Sequence, residues 1–97
     1  MALEPAPLTS AIESYVAAVA HATKTTTSSR DREVFEQLHA DGERILNLVK
    51  SGADSESLLY ASGKHQRIWN RMWLEDPVYE TPWQLWRTIS DHVGNAI

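Results

Sequence analysis

The chain has 97 residues, a formal net charge of −4, no cysteine and 42% hydrophobic residues. A chain of this length forms a single domain over residues 1–97, with one core that is too small to enclose a large cofactor as well. The lack of cysteine excludes disulfides, thiolate metal sites and a cysteine nucleophile, and it favours a cytoplasmic location. The acidic charge opposes unspecific attraction to nucleic acid or to an anionic membrane. No secretory signal is expected, because the first residues lack a basic region.

The first segment predicts a helix over residues 8–22. Ser10 and Glu13 have the spacing of a capping box, although Pro7 could also open the helix. Its apolar side chains recur with a helical period: Leu8, Ile12, Tyr15, Val16 and Val19. Residues 23–29 are rich in threonine and serine without an apolar anchor, and this composition predicts a mobile loop.

The second segment predicts a helix over residues 30–50, which Gly52 would end. Its apolar stripe is formed by Val34, Phe35, Leu38, Ile45, Leu48 and Val49. Gly42 falls inside this stripe, where a glycine costs about 0.5–1 kcal/mol relative to alanine. We therefore expect a neighbouring helix to cross closely at Gly42.

The third segment predicts a helix over residues 54–75, with Asp76-Pro77 as the stop signal. The predicted core face carries Leu58, Ala61, Ile68, Trp69, Met72 and Trp73. Lys64, Arg67 and Arg71 project from the other side of this helix. Since they do not share a face with the tryptophans, we interpret these bases as solvated and predict no nucleic-acid site.

The fourth segment predicts a helix over residues 82–93. Thr81 as N-cap, Pro82 at the first helical position and Gln84 at the third form a capping box, and Gly94 is placed to end the helix. Its buried stripe is formed by Leu85, Trp86, Ile89 and Val93. The only candidate for extended structure is the pair Val78-Tyr79 just before it.

Four amphipathic helices with short connections predict an all-α fold. Two arrangements remain open, a four-helix bundle and a helical hairpin with packed flanking helices. The longest apolar run covers residues 16–20, far below the roughly 20 residues that span a bilayer, so no membrane segment is expected.

The sequence contains no motif that predicts an enzyme or a cofactor site. A Gly-rich phosphate loop is absent, and none of the four histidines has a nucleophile beside it. Glu36 and His39 have the Glu-x-x-His spacing of helical metal sites, with Glu43 two turns from Glu36, but the motif occurs once and lies opposite the apolar stripe. We therefore expect no metal, and a small metal-dependent enzyme is the least favoured reading.

Two groups of residues are candidates for contact with a partner protein. Trp83 lies away from the buried stripe of its helix, and Tyr79 is close to it in sequence, so both could be apolar anchors. Trp83 could instead pack locally under the connection before its helix. The acidic residues Glu36, Asp41 and Glu43 concentrate in the second helix and could steer a basic partner.

Short segments along the chain carry a resemblance to known proteins. The first set is Leu3-Glu4-Pro5, Leu8-Thr9 and Ala11-Ile12, and the second is Leu58-Leu59, Gly63, Glu75-Asp76-Pro77 and Leu85. The first resembles the start of small helical immunity proteins that neutralise type VI secretion effectors. The second resembles immunity proteins against effectors that attack nicotinamide dinucleotides. The four tryptophans depart from this pattern.

The resemblance implies a cytoplasmic all-helical inhibitor that covers the active site of a cognate bacterial toxin. The alternative is a non-enzymatic helical adaptor or regulator that acts as a homodimer through its tryptophan-rich half. Both readings are protein-binding functions without a cofactor, and they differ in the partner.

Overall fold

The structure, a computed structural model, describes the backbone of residues 5–71 and 73–96 and the side chains of residues 7–71 and 73–93. Within these ranges the helices are α1 (Pro5–Thr25), α2 (Ser29–Lys50), α3 (Ser55–Arg71) and α4 (Glu80–Ala96), with a 3₁₀ turn over Pro77–Tyr79. No strand occurs in the described residues. The all-α prediction is confirmed.

The four helices form a ring around one core. α1 packs against α2 and α4, and α3 packs against the same two helices from the other side. This arrangement is a four-helix bundle, the first of the two arrangements left open by the sequence. The largest fully buried hydrophobic side chains are Trp86, Tyr15, Phe35, Leu8, Ile12, Leu38, Ile45 and Ile89. None of the described helices is long and apolar enough to cross a membrane.

The loop predicted over residues 23–29 is mostly helical. α1 continues to Thr25, and Arg32 of α2 donates to the backbone carbonyls of Thr23 and Thr26 at this end, at 3.3 and 2.9 Å. Only residues 26–28 connect the helices. The prediction was wrong because Arg32, a side chain of the next helix, satisfies carbonyls at this helix end, and the composition of residues 23–29 does not reveal that contact.

The C-terminus of α2 follows the prediction at Gly52. Gly52 has φ +78°, its N–H donates to Val49 O, and Ala53 N–H donates to Leu48 O. These two bonds form a Schellman motif, in which only glycine adopts the left-handed conformation without strain. Gly42 is also placed as predicted, because a Cβ there would lie 3.3 Å from Val16 Cγ2 of α1.

The segment between α3 and α4 differs most from the prediction. α3 begins after Asp54, whose Oδ1 accepts Ser57 N–H at 2.7 Å, but it ends at Arg71 rather than at residue 75. Met72, predicted on the core face, lies outside the described residues. The backbone from Trp73 to Asp76 is not helical, and we call residues 73–76 the link.

α4 begins earlier and ends later than predicted. The carboxylate of Asp76 accepts Val78 N–H and caps the 3₁₀ turn, which leads directly into α4 at Glu80. The capping box predicted at Thr81 is therefore not used, and Val78-Tyr79 is not extended. At the other end the helix continues through Gly94 to Ala96.

Replacing the glycines should reveal the close contact of α1 and α2. Gly63 lies inside α3 with nothing within 4 Å of an added Cβ, so Gly63→Ala should stabilise the fold by about 0.5–1 kcal/mol. Gly42→Ala gains the same propensity but pushes against Val16 and the Tyr15 ring. We expect it to be about 1 kcal/mol less stable than Gly63→Ala in urea unfolding followed by circular dichroism. Equal gains from both would contradict the close crossing.

Candidate functional site

A cavity lined by tryptophans opens at the surface between α3 and α4. Its volume is about 440 Å³. We call it the tryptophan pocket, and its walls are formed by Trp69, Asn70, Trp73, Leu74, Tyr79 and Trp83. Aromatic concave sites of this size suit an apolar or aromatic side chain from a partner.

Trp73 is the most exposed large hydrophobic side chain among the described residues, at 82%. The prediction that it belongs to the core is wrong. Since α3 ends at Arg71, the chain leaves the helical path before Trp73, and the ring no longer follows the core face. Single exposed hydrophobic residues are common on protein surfaces. Trp73 differs from them because it lies beside an aromatic pocket.

Trp83 packs locally, which is one of the two alternatives considered for it. Its ring is partly buried and lies 5.1 Å from the Trp69 ring, with the planes tilted by 52°. It therefore packs locally and lines the pocket together with Tyr79. This local packing gives the pocket a rigid wall, because tilted aromatic pairs stabilise one another by about 0.5–1.5 kcal/mol.

The buried carboxylate of Asp31 holds the link in place. Its Oδ2 accepts Glu75 N–H at 3.0 Å and Asp76 N–H at 2.7 Å, while its Oδ1 is buried and has no hydrogen-bond partner. Asp31 lies in the first turn of α2, where the helix dipole favours a negative charge. The pocket residues Trp73 and Leu74 directly precede this attachment point.

Asp76 extends the same attachment to the α1–α2 connection. Its Oδ2 accepts Thr26 Oγ1–H at 2.9 Å and Thr27 N–H at 3.2 Å. The bonds from Val78 N–H and from the Thr26 hydroxyl lower the pKa of the Asp76 carboxyl below its usual value. Two connections that are far apart in sequence are thereby joined at one end of the bundle.

The other wall of the pocket is fixed by a chain of buried hydrogen bonds. Trp69 Nε1–H donates to the Tyr15 hydroxyl at 3.0 Å, and this hydroxyl also contacts His65 Nε2. His65 Nδ1 lies 2.7 Å from Asp41 Oδ2, and Arg44 donates to Asp41 Oδ1 at 2.8 Å. These hydrogen bonds connect α1, α2 and α3.

The donors and acceptors assign the protons in this network. The Asp41 carboxylate can only accept, so His65 Nδ1 carries a proton, and Nε2 then accepts the proton of the Tyr15 hydroxyl. With His65 neutral, every polar atom of this hydrogen-bond network has a partner. Burial lowers the pKa of His65, opposed by its bond to Asp41, and burial raises the pKa of Tyr15 well above its usual value.

This Asp-His-Tyr chain has the order of a catalytic relay but not its accessibility. Tyr15 and His65 both have 0% of their surface exposed. A general base must come within hydrogen-bond reach of a substrate proton, and neither ring can do so without the bundle opening. The network therefore acts as a brace for Trp69.

The predicted acidic candidates are not gathered into one surface. Asp41 is bound to His65 and Arg44, with its side chain 17% exposed. Glu36 and Glu43 are exposed on α2, and Glu36 lines a cavity with residues of α1. In the helix ring the α1–α2 groove lies opposite the α3–α4 groove. The structure thus places Glu36 and Glu43 on the far side of the bundle from Tyr79 and Trp83.

The Glu36, His39 and Glu43 row has one polar contact, between His39 Nε2 and Glu43 Oε1 at 3.4 Å. No group of three His, Cys, Asp or Glu side chains among the described residues could hold a metal ion.

Comparison with known proteins brings no match. No family model matches the chain, and the comparisons with curated proteins and with solved structures find no match either.

Sequence reasoning missed the residues that build the pocket from behind. Asp31 and His65 stand on core faces of their helices, and Tyr15 was assigned to the core without a partner for its hydroxyl. Asp41 was predicted as a partner contact and not as the partner of His65, although it comes three residues after Leu38 and four before Ile45, at the edge of the apolar stripe. Polar groups at such positions need buried partners, and this was the available signal.

Mild acid should weaken the fold through His65. Because its pKa is lowered in the folded state, the unfolded chain takes up a proton that the folded chain does not, so the free energy of unfolding falls as pH drops below about 6.5. Urea unfolding at several pH values between about 5 and 8 measures this slope. His65→Gln should flatten it, whereas the exposed control His92→Gln should retain it. An unchanged slope in His65→Gln would contradict the assignment.

Removing the Asp31 carboxylate should release the link. Asp31→Ala should lower the free energy of unfolding by about 2–3 kcal/mol, because it leaves the amides of Glu75 and Asp76 without an acceptor. Asp31→Asn keeps one acceptor oxygen and should cost less. The exposed control Asp91→Ala should stay within about 0.5 kcal/mol.

A second readout reports on the link itself. Trypsin should cut after Arg71 faster in Asp31→Ala than in the control, as measured by mass spectrometry under native conditions. Equal cleavage rates would mean that Asp31 does not position the pocket.

Proposed function

We propose that this chain is a non-enzymatic protein-binding domain whose partner docks in the tryptophan pocket. The observation that carries the proposal is the 82% exposed Trp73 at the rim of a cavity that Trp69, Tyr79 and Trp83 also line. Tryptophan and tyrosine are the side chains most enriched among residues that dominate binding energy. Exposing a tryptophan ring to water is unfavourable, and a partner that covers Trp73 best explains its position.

The construction of the pocket supports docking without rearrangement. Trp69 is held by the Tyr15 hydroxyl, and the link is held by Asp31. A partner then does not have to order the site on binding, which leaves more of the contact energy for affinity.

The form of this function that we propose first is an immunity protein: a cytoplasmic inhibitor that occludes the active site of a cognate bacterial toxin, such as a type VI secretion effector. The sequence resemblance suggests the class of partner. The pocket suggests the contact, with Tyr79 and Trp83 as anchors together with Trp73. Glu36 and Glu43 would then touch the toxin only if it reached around the bundle, and Asp41 would act by holding His65.

A second candidate is a homodimeric adaptor or regulator. It is favoured by the proximity of a protruding Trp73 and a cavity on the same face. In a two-fold dimer each copy could insert this ring into the pocket of the other, since such an interface uses the same patch twice.

One experiment separates the two candidates. The tagged chain is recovered from its native cells with its bound proteins, and the pure chain is measured by light scattering. A larger stoichiometric partner that is toxic to cells lacking this chain supports the inhibitor. A stable dimer without such a partner supports the adaptor. A monomer with no partner opposes both.

Trp73→Ala tests the pocket in either case. We expect it to weaken the complex by at least about 2 kcal/mol, or roughly thirtyfold in Kd, measured by calorimetry with the purified partner or by dilution of the dimer. Its effect on the free energy of unfolding should stay within about 0.5 kcal/mol because the side chain is exposed. Leu59 is likewise exposed, but it lies on α3 and does not line the pocket. Leu59→Ala is therefore the matched control and should bind like the unmodified chain. Wild-type affinity in Trp73→Ala would rule out the pocket.

A further inference from the structure

α3 separates the tryptophan pocket from a second concavity of opposite character. This groove lies between α2 and α3 and has a volume of about 250 Å³. We call it the basic groove, and it is lined by Gln37, Lys64, Arg67, Ile68 and Arg71. Three of the nine Lys and Arg residues of an acidic chain thus line one small depression.

The three cations of the basic groove have no acidic neighbours bound to them. Lys64, Arg67 and Arg71 are exposed, and none forms an ion pair with a described residue. By contrast, Arg44 on α2 is paired with Asp41. Unpaired cations at positions i, i+3 and i+7 of a helix form one row, which raises the local positive potential.

Two arginines of α2 flank Gln37, and each is paired with an acid. Arg30 and Arg44 stand seven residues before and after Gln37, so all three lie on nearly the same side of α2. Arg30 is held loosely by Glu75 at 3.7 Å. The acids nearest to this row in helical position are Glu33 and Asp41, each four residues from Gln37. Glu33 is exposed, and Asp41 is bound to Arg44 and His65.

The groove also has apolar features. Its lining includes the partly buried Ile68. One turn before Lys64, the Tyr60 ring is 71% exposed, and the Lys64 ammonium lies 5.8 Å from its centroid. Arginine and tyrosine around an aliphatic floor are typical of protein-binding hot spots.

We propose that the basic groove binds an acidic amphipathic helix of a partner protein. Acidic side chains at i, i+3 or i+4 and i+7 of that helix would meet Lys64, Arg67 and Arg71, and an apolar side chain between them would cover Ile68. A groove between two helices with cationic rims and an apolar floor fits this mode of recognition. The site is on the opposite flank of α3 from the tryptophan pocket and does not depend on it.

Nucleic acid fits the groove less well. None of the residues that line it is aromatic, and the single Tyr60 ring beside Lys64 does not form a platform on which successive bases could stack. The row from Lys64 to Arg71 covers about 10 Å of helix, which reaches only a few phosphates. The net charge of −4 also opposes a long polyanion.

The test uses a synthetic helical peptide with glutamates at i, i+3 and i+7 and a leucine between them. Its affinity for the full chain is measured by calorimetry at two salt concentrations, roughly 50 and 300 mM, since contacts between exposed charges weaken as salt rises. Binding at low salt that weakens at high salt is expected. A peptide of the same pattern with lysine in place of glutamate should not bind.

Charge-matched variants locate the site. Arg67→Glu with Arg71→Glu should weaken peptide binding about tenfold or more, because two attractive contacts become repulsive. Lys24→Glu with Arg87→Glu changes the net charge by the same amount at exposed positions outside the groove and should change affinity less than about threefold. Circular dichroism checks that both double variants remain folded.

Four outcomes would overturn the proposal. They are no peptide binding at low salt, equal weakening by both double variants, tighter binding of a short DNA duplex than of the peptide, and occupation of the groove by a second copy of the chain. The last would appear as a dimer that Arg67→Glu with Arg71→Glu dissociates and that the Trp73→Ala variant does not.

Discussion

The Tyr15 hydroxyl is the point on which the packing of the bundle depends. It is fully buried, and it joins α1 to α3 by accepting from Trp69 and donating to His65. A buried hydroxyl without partners costs about 1–3 kcal/mol, so the rings around it can pack only in an arrangement that satisfies it. Asp41 then fixes His65 from α2. This requirement selects the registers of three helices that apolar contacts alone would leave interchangeable, because apolar packing has little directional preference.

Carboxylate acceptors also organise the end of the bundle. Asp31 receives two backbone amides of the link, and Asp76 receives the Thr26 hydroxyl and the Thr27 amide. Neither carboxylate forms an ion pair with a cation among the described residues, so each is stabilised by hydrogen bonds. The consequence reaches the tryptophan pocket. The pocket wall at Trp73 is carried by a non-helical link that would be free to move without Asp31.

Much of the helix pattern could be predicted because it follows from local signals. The spacing of apolar residues predicts the four helices. The roles of Gly42 and Gly52 are also predicted correctly, because Gly42 faces a close helix crossing and Gly52 has a positive φ. The errors lie where a distant partner decides. Trp73 is exposed because α3 ends at Arg71, and the link that follows is held by Asp31 of another helix. The pocket could not be predicted for the same reason, since it is made from α3, the link and α4 together.

α3 gives the molecule two chemically distinct flanks. The side toward α4 carries the aromatic wall of the tryptophan pocket, and the side toward α2 carries Lys64, Arg67 and Arg71. The brace from Tyr15 to Trp69 keeps α3 at a fixed rotation, and that rotation decides which side chains face which groove. A turn of α3 by one residue, about 100°, would move the bases toward the core and the buried Trp69 toward water. The internal hydrogen bonds that exclude this rotation are therefore also what separates an aromatic surface from a cationic one.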